Sequence, residues 1–502
     1  MSFSELNDIE LLSIRDLGHG LDQGVFTSYD LVQHFLKKIS LEDEDFNSIA
    51  FPNPQAEDIA RKMDEEREKG IVRSALHGIP LVIKDNIDTA DEMMTSAGSL
   101  ALDGSRAQKD AYLVSRLRAG GAIILGKSNL SEWANFRSTR SCSGWSSRGG
   151  QVRNAYTLDR TPGGSSSGSA VAVARNFCAG AIGTETDGSI VVPAAMNSLV
   201  GIKPTVGLVS RTGVIPIAPS QDTAGPIAKT VADASTILAV LMGHDSEDTS
   251  TNVLAKNFYH NFLGSLNPKA LQGQRIGAVR NLAHFQEAVD QAFEEALTII
   301  KFAGAEVIDG IVLPDQQTIK EHEIVVLRTE FKVALNAYLA ALTDQSRVSS
   351  LSELIHFNEQ NRLEVMPYFQ QEQFLAAEAT YGLNDLKYQK ALEECQRLSR
   401  REGIDRALSD HSCCALVAPT TSTPWAIDLA NGDNRLGDSS CLAAVSGYPS
   451  VTLPMGYIAG LPVGLSFIGK AWEDTFIINL AYAFEQASLI RRPPGGPVQV
   501  LE

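Results

Sequence analysis

Apolar positions along the chain fall into short continuous runs and into longer stretches with helical spacing. Four short runs are typical of buried strands: residues 81–83, 122–125, 275–279 and 305–308. Apolar side chains recur every three or four positions in residues 112–120 and 285–300, which predicts a helix after a strand in each case. Strands and helices therefore alternate, and this order predicts an α/β fold whose sheet is at least partly parallel.

Two helices are predicted in the first 70 residues. Apolar residues between Leu31 and Ile39 share one helical face, and Ser28 is the predicted N-cap of this helix. Residues 55–69 form the second helix, which Gly70 ends. We expect residues 1–70 to wrap around the core.

Two segments rich in glycine and serine carry the candidate chemistry. Residues 163–168 and 183–189 flank a small apolar segment that predicts a buried helix packed near a strand. Glycine permits positive φ and close approach of the backbone, so a serine in such a turn can present its hydroxyl beside several N–H groups. Upstream, Lys84 ends an apolar run, where burial disfavours its charged form and lets it act as a base. The combination favours a serine hydrolase.

These segments resemble the amidase signature family, whose core motif reads Gly-Gly-Ser-Ser-Gly-Gly-Ser and is followed by Thr-Asp-x-Gly-Gly-Ser-Ile-Arg. Matching segments continue over most of the chain: residues 110–111, 120–132, 201–207, 222–226 and 447–449, with Pro454 and Gly464. Within the family the chain is most similar to the bacterial peptide amidase branch, through residues 186–191, 331–339 and 418–428. The resemblance implies one domain over residues 1–502, with a large mixed β-sheet sandwiched by α-helices.

The resemblance also implies a catalytic role for three residues. Ser189 matches the nucleophile that forms the acyl-enzyme, Ser165 the bridging serine whose peptide bond is cis, and Lys84 the base. A hydroxyl suits the bridging position because it donates and accepts at once, so Ser165 can take a proton from Ser189 and pass its own to Lys84. A lysine at its ordinary pKa of about 10.4 is neutral in only about one molecule in a thousand near neutral pH. We therefore expect burial to lower the pKa of Lys84.

The predicted oxyanion hole consists of the backbone N–H groups of Thr186, Asp187, Gly188 and Ser189, because developing negative charge needs donors already in place. Three residues depart from the family motif. Ser167 replaces a glycine, Asp187 a glycine or other small residue, and Val191 an arginine that often follows the nucleophile. None is a catalytic position. The Asp187 carboxylate is expected to disfavour anionic substrates.

Two alternative functions stay open. Residues 164–168 also fit the Gly-x-Ser-x-Gly pattern, so an α/β-hydrolase esterase would use Ser166 with a downstream acid and histidine. The candidate histidines for that role are His244, His260, His284, His322, His356 and His411. The other alternative is the family's amidotransferase subunit, which hydrolyses glutamine and supplies ammonia to a partner.

The similarity to peptide amidases implies a substrate with a terminal carboxamide, either a peptide or an amino-acid amide, which is hydrolysed to an acid and ammonia. Residues 310–440 contain fewer motifs and include longer helical segments at 319–342 and 351–363, so we expect substrate selection there. Trp425 and Tyr368 are candidates for lining the pocket.

Composition narrows the function further. A net charge of −17 argues against a nucleic-acid ligand, because phosphates would be repelled. No apolar run approaches the roughly 18 residues of a membrane span and no secretion signal precedes the core, so we expect a cytoplasmic protein without membrane contact. The six cysteines show no metal-ligand spacing and are predicted to be reduced and mostly buried. No metal or cofactor motif is present, and the sequence leaves the oligomeric state open.

Overall fold

The computed structural model describes residues 6–256, 266–342 and 347–495; His260 lies outside these residues. Eleven of the strands in this part of the chain form one sheet, and β4 and β5 form a separate small hairpin. The strands are β1 (Ile49–Pro52), β2 (Pro80–Lys84), β3 (Ile123–Ser128), β4 (Trp145–Ser146), β5 (Gly150–Gln151), β6 (Gly180–Glu185), β7 (Val200–Lys203), β8 (Thr223–Ala228), β9 (Arg275–Val279), β10 (Glu306–Ile311), β11 (Ala415–Pro419), β12 (Ser450–Ile458) and β13 (Leu461–Ile468).

Helices account for most of the remaining regular structure, and a π-helical segment, Arg397–Ile404, joins α13 to α14. The α-helices are α1 (Ile14–Asp22), α2 (Ser28–Phe46), α3 (Ala56–Glu68), α4 (Tyr112–Ala119), α5 (Ser167–Ala174), α6 (Val191–Met196), α7 (Val231–Leu241), α8 (Glu287–Phe302), α9 (Gln316–Ala341), α10 (Leu351–Gln360), α11 (Arg362–Val365), α12 (Glu372–Glu378), α13 (Leu386–Gln396), α14 (Asp405–Asp410), α15 (Ser440–Ser446) and α16 (Asp474–Ser488).

The sheet is mixed, with the strand order β1-β3-β2-β6-β8-β7-β12-β13-β11-β9-β10. Strand β2 runs parallel to both of its neighbours, β3 and β6, and β9 runs parallel to β10 and β11. The other pairs are antiparallel. Every residue of β2, β3 and β6 is buried, as expected of parallel strands covered on both faces. The predicted α/β class and the large mixed sheet are confirmed.

The predicted helices are present with small changes at their ends. The N-cap of α2 is Thr27 rather than Ser28, because the Thr27 hydroxyl accepts a hydrogen bond from the Asp30 backbone N–H while the Asp30 carboxylate accepts from the Thr27 N–H. The helix predicted over 351–363 is broken between α10 and α11 at Asn361, whose side-chain amide donates to the Phe357 carbonyl.

Helices of the first 70 residues pack on the main core. Leu17 of α1 and Val32 of α2 belong to the same buried cluster as Leu81 of β2 and Ile124 of β3. The division into one domain, with residues 1–70 as a helical wrap, stays a prediction. All six cysteines are free thiols, and five are buried while Cys414 is partly buried, as predicted. Among the described residues, no helix combines the length and the hydropathy needed to cross a membrane.

Candidate active site

The candidate catalytic residues meet at one edge of the sheet. Lys84 is the last residue of β2, and Glu185 is the last residue of β6, the parallel neighbour of β2. The turn that contains Ser189 leads from β6 into α6, and Ser165 lies just before α5. In α/β sheets, sites form at the carboxyl ends of parallel strands because the connecting loops converge there. The topology thus brings three distant motifs to one place.

Lys84 is completely buried, and its ammonium nitrogen is surrounded by three oxygen atoms. The Nζ atom donates to Ser165 Oγ at 2.8 Å, to Thr184 Oγ1 at 2.9 Å and to the Thr184 carbonyl at 3.2 Å. Burial lowers the pKa of Lys84 from its ordinary 10.5 to about 7, although the nearby charges of Glu185 and Asp222 act in the opposite direction. This is the direction that a neutral lysine base requires.

The three oxygen atoms also fit the neutral form of the amine. A neutral lysine has two N–H groups and one lone pair. The two N–H groups match the two acceptors on Thr184, and the lone pair then faces the Ser165 hydroxyl. Thr184 Oγ1 is itself held by the side-chain amide of Asn86 at 3.0 Å. Thr184 therefore orients the lysine toward Ser165.

Ser165 is buried, and the Gly164–Ser165 peptide bond is cis, as the family resemblance implied. The preceding glycine is required by packing, because a Cβ atom on Gly164 would lie 2.4 Å from Ser131 Oγ. The Ser165 carbonyl accepts a hydrogen bond from the Ser131 N–H at 3.2 Å. Ser165 thus presents its hydroxyl to Lys84 from a closely packed backbone.

Ser189 is 8% exposed, whereas Lys84 and Ser165 are completely buried. Its carbonyl accepts a hydrogen bond at 3.1 Å from the N–H of Ser166, the residue that follows Ser165. Within the described residues, no hydrogen bond occupies the Ser189 hydroxyl. The structure therefore joins Lys84 to Ser165 by their side chains and holds Ser189 beside them through its backbone.

The turn of residues 186–189 is held from outside while its own N–H groups stay unused. Thr186 Oγ1 donates to Asp222 at 2.5 Å, and the Thr186 carbonyl accepts from the side chain of Gln221 at 3.2 Å. The Asp187 carboxylate accepts from the Ser440 hydroxyl at 2.6 Å. In the described parts of the chain, no hydrogen bond engages the N–H of Asp187, Gly188 or Ser189. Three fixed, unpaired donors of this kind are what an oxyanion hole needs.

Gly188 is needed at its position in the turn. Its φ of +78° lies in the left-handed region, and a Cβ atom would approach Ser440 Oγ to 2.9 Å.

Ser167 and Val191, which with Asp187 depart from the family motif, both have local partners. The Ser167 hydroxyl donates to the Gly163 carbonyl at 2.6 Å, and Val191 is buried against Trp425.

Ser166 is part of the packing beneath the site. Its buried hydroxyl donates to the Thr184 carbonyl at 3.1 Å and accepts from the Thr184 N–H at 3.2 Å. No hydrogen bond joins it to any histidine that the structure describes. A nucleophile elbow would instead expose this serine beside a histidine, so the geometry argues against an esterase that uses Ser166.

A cluster of charged side chains lies beside the turn. Asp187, Glu323 and Cys441 each offer one side-chain atom that could bind a metal ion, and these three atoms lie within 4.8 Å of one another. Lys320 and Arg435 lie on the same side, each 3.7 Å from the carboxylate of Asp438. We assign no metal ion to this cluster, because hydrogen bonds from Ser440 and Gln221 already engage the carboxyl groups of Asp187 and Glu323.

Trp425 lies next to the start of α6 and is 7% exposed. It packs against Val191, Val192 and Met196, and its indole N–H donates to Asp433 at 3.2 Å. Tyr368 is about half exposed and contacts the edge of Trp145.

Three other residues of the branch-specific segments have structural partners. Phe331 stacks on Phe374 in the core, the Tyr338 hydroxyl donates to Asp88 at 2.9 Å, and Asp428 accepts hydrogen bonds within its own turn.

Sequence reasoning missed several residues that shape this site. Thr184 and Asp222 lie inside segments that match the family motif, so the motif boundaries were a usable signal for them. Gln221 precedes such a segment directly. Ser440 and Glu323 come from α15 and α9, where no local pattern distinguishes them from other polar helix residues.

Comparison with known proteins agrees with this geometry. The family model described as Amidase matches residues 30–478. A protein of Arabidopsis thaliana named "probable amidase" is 40% identical over 499 residues, which are 97% of this chain and 92% of that protein. The crystal structure of native peptide amidase from Stenotrophomonas maltophilia superposes with a TM-score of 0.92 at 47% identity, covering 96% of this chain and 98% of that chain.

A glutamyl-tRNA(Gln) amidotransferase subunit from Acinetobacter baumannii is 32% identical over 489 residues, which are 96% of this chain and 97% of that protein. Fold and sequence define an enzyme that hydrolyses carbon–nitrogen bonds of linear amides. The chain belongs to the amidase family.

Proposed function

We propose that this amidase hydrolyses the terminal carboxamide of peptides or amino-acid amides, with Ser189 as the nucleophile, Ser165 as the bridging serine and Lys84 as the base. The single observation that carries the catalytic assignment is the buried contact of 2.8 Å between Lys84 Nζ and Ser165 Oγ, beside which the Ser166 N–H holds the Ser189 backbone. At that position water does not stabilise the charged form of the lysine, so the neutral amine is favoured. A neutral amine can accept a proton and act as a base.

The proposed reaction moves one proton along the three side chains. Ser189 Oγ attacks the amide carbon while its proton passes to Ser165, which gives its own proton to Lys84. The N–H groups of the predicted oxyanion hole, from Thr186, Asp187, Gly188 and Ser189, stabilise the oxyanion. The carbon–nitrogen bond then breaks, and the proton returns through Ser165 to the leaving nitrogen, which departs as ammonia. Water hydrolyses the acyl-enzyme by the same path and releases the acid.

The substrate proposal rests on similarity and on the walls of the site. The solved peptide amidase is 47% identical to this chain, whereas the amidotransferase subunit is 32% identical. Trp425, Val191 and Val192 pack into a buried apolar cluster beside the turn of Ser189, and we propose that the edge of this cluster contacts an uncharged chain leading to the carboxamide. The carboxylate of Asp187 disfavours an anionic substrate. We also keep residues 310–440 as the proposed region of substrate selection.

The experiment that tests substrate choice measures ammonia release by purified protein without ATP or any partner. We expect a neutral peptide amide to be hydrolysed far faster than glutamine, a fatty amide or an aryl amide. Glutamine as the preferred substrate, with activity that rises when a partner protein is added, would show an amidotransferase component instead.

A second experiment tests the nucleophile. Ser189→Ala should lose about four orders of magnitude in kcat, and adding Lys84→Ala should reduce it little further, because members of one relay act as a unit. Ser166→Ala is the matched control, since it removes a hydroxyl one residue beyond Ser165 and should retain the acyl-enzyme chemistry. Loss of activity in Ser166→Ala with near-normal Ser189→Ala would contradict the assignment.

A further inference from the structure

Beside the Ser189 turn, the side chains contain more acidic than basic groups. Three carboxyl groups meet here: Asp187 of the turn, Glu323 of α9 and Asp438, which precedes α15. The only cationic side chains paired with them are Lys320 and Arg435 among the described residues, and both lie 3.7 Å from Asp438. Full ionisation would therefore leave one unbalanced negative charge in a buried place, which is costly unless one carboxyl group keeps its proton.

The hydrogen bonds indicate which carboxyl group keeps it. The Ser440 hydroxyl has a single proton and lies 2.6 Å from Asp187 and 3.1 Å from Asp438, so the shorter contact makes it the donor to Asp187. Asp438 is compensated instead by the cations Lys320 and Arg435. Glu323 is 5% exposed, and its one hydrogen-bond donor within the described part of the chain is the neutral side-chain amide of Gln221 at 2.8 Å. Two buried carboxyl groups as close as Asp187 and Glu323 do not both ionise readily.

The remaining groups that face Glu323 do not change this assignment. Lys320 lies one turn earlier on α9 and is bound to Asp438, and the thiols of Cys441 and Cys395 face Glu323 from α15 and α13. Burial, followed by the charge of Asp187, raises the pKa of Glu323 to about 8, and burial, followed by the charge of Asp438, raises the pKa of Asp187 as well. The pair therefore favours holding one proton, and Glu323, whose hydrogen-bond partner is a neutral amide, is the group that keeps it. The pKa of Asp438 is lowered, because Lys320 and Arg435 outweigh its burial.

We propose that Glu323 is a positioning residue that works in its protonated form and holds the nucleophile turn in place from α9. The physical link is short. Gln221 donates both to Glu323 and to the Thr186 carbonyl, and Asp187 in the same turn lies within 4.8 Å of Glu323. When Glu323 carries a proton, Asp187 stays bound to Ser440 and the turn stays fixed. When Glu323 ionises, its repulsion acts on Asp187, which precedes the oxyanion N–H groups of Gly188 and Ser189.

The inference rests on the proposed function, because its readout is amide hydrolysis, and it predicts an alkaline decline in kcat. The test measures kcat against pH for the native enzyme, for Glu323→Gln and for Glu321→Gln, an exposed neighbour on the same helix that serves as the matched control. Glutamine imitates a protonated glutamate. We expect kcat of the native enzyme and the control to fall about tenfold per pH unit above a midpoint near 8.

Glu323→Gln should lack this decline and keep kcat at pH 7 within about threefold of the native value. An unchanged alkaline decline in Glu323→Gln would overturn the proposal. A folded Glu323→Gln enzyme with a loss of more than about tenfold at pH 7 would overturn it as well. Failure of the proposed function looks different, because Ser189→Ala would then stay active at every pH.

A second variant keeps the test decisive if Glu323→Gln does not fold. Lys320→Met removes a partly exposed cation whose charge lowers the pKa of Glu323. The midpoint of the alkaline decline should therefore move upward by about half a pH unit or more. A midpoint that stays in place, or moves downward, would contradict the role of Glu323.

Discussion

Replacing Lys84 by methionine should abolish activity and make the protein more stable in acid. The reason is that the lysine is completely buried and its pKa falls from 10.5 to about 7. Below pH 7 the native protein carries a buried charge, whereas the unfolded chain carries the same charge in water. The penalty is therefore complete below pH 7, becomes smaller as pH rises, and is absent above the unfolded pKa of 10.5.

The magnitude follows from the size of the pKa change. A pKa lower by about 3.5 corresponds to about 5 kcal/mol, since one pH unit is worth about 1.36 kcal/mol. Methionine avoids this penalty but loses three hydrogen bonds to Ser165 and Thr184, at about 1 kcal/mol each. We expect Lys84→Met to gain about 2 kcal/mol in free energy of unfolding at pH 6 and to lose that advantage by pH 9.5.

Urea unfolding of both proteins at pH 6 and pH 9.5 measures this difference. Lys62→Met is the matched control, because it changes an exposed lysine on α3 and should show no such pH dependence. The informative quantity is the change between the two pH values, about 3.4 kcal/mol by the same conversion. A Lys84→Met protein whose relative stability is the same at both pH values would refute the assignment of a neutral lysine, whatever its activity.

Three further predictions concern the native enzyme and one neighbour of the lysine. The proposed mechanism requires a neutral Lys84, so kcat/KM should fall about tenfold per pH unit below pH 7, to about one hundredth at pH 5; a flat acid profile would show another base. Thr184→Val should lower kcat by about tenfold or more, since it removes the hydroxyl that accepts from Lys84, while Thr184→Ser should retain most activity; equal kinetics in the two variants would contradict this role. Incubation with a chelator should leave ammonia release unchanged, and recovery of lost activity by zinc would disprove the metal-free mechanism.

Local sequence was enough for the elements and for the family motifs. The apolar run at 81–83 lies in strand β2, because a strand buried on both faces is apolar at every position. The helical spacing of residues 112–120 corresponds to helix α4, because a helix buried on one face has apolar residues every three or four positions. The predicted N-cap of α2 is wrong by one residue, since threonine and serine both cap helices and only backbone geometry distinguishes Thr27 from Ser28.

The sequence by itself determined the α/β class, the family and the three candidate catalytic residues, since each lies in a motif whose residue types the chemistry requires. Tertiary structure decided which groups surround them. Thr184 and Glu323 are 139 positions apart in the sequence, yet Thr184 binds Lys84 and Glu323 lies within 4.8 Å of Asp187 in the turn of residues 186–189. A pKa depends on burial and on charges within a few ångströms, which come from separate strands and helices. Only the folded chain could therefore show that burial lowers the pKa of Lys84 and that Glu323 lies beside Asp187.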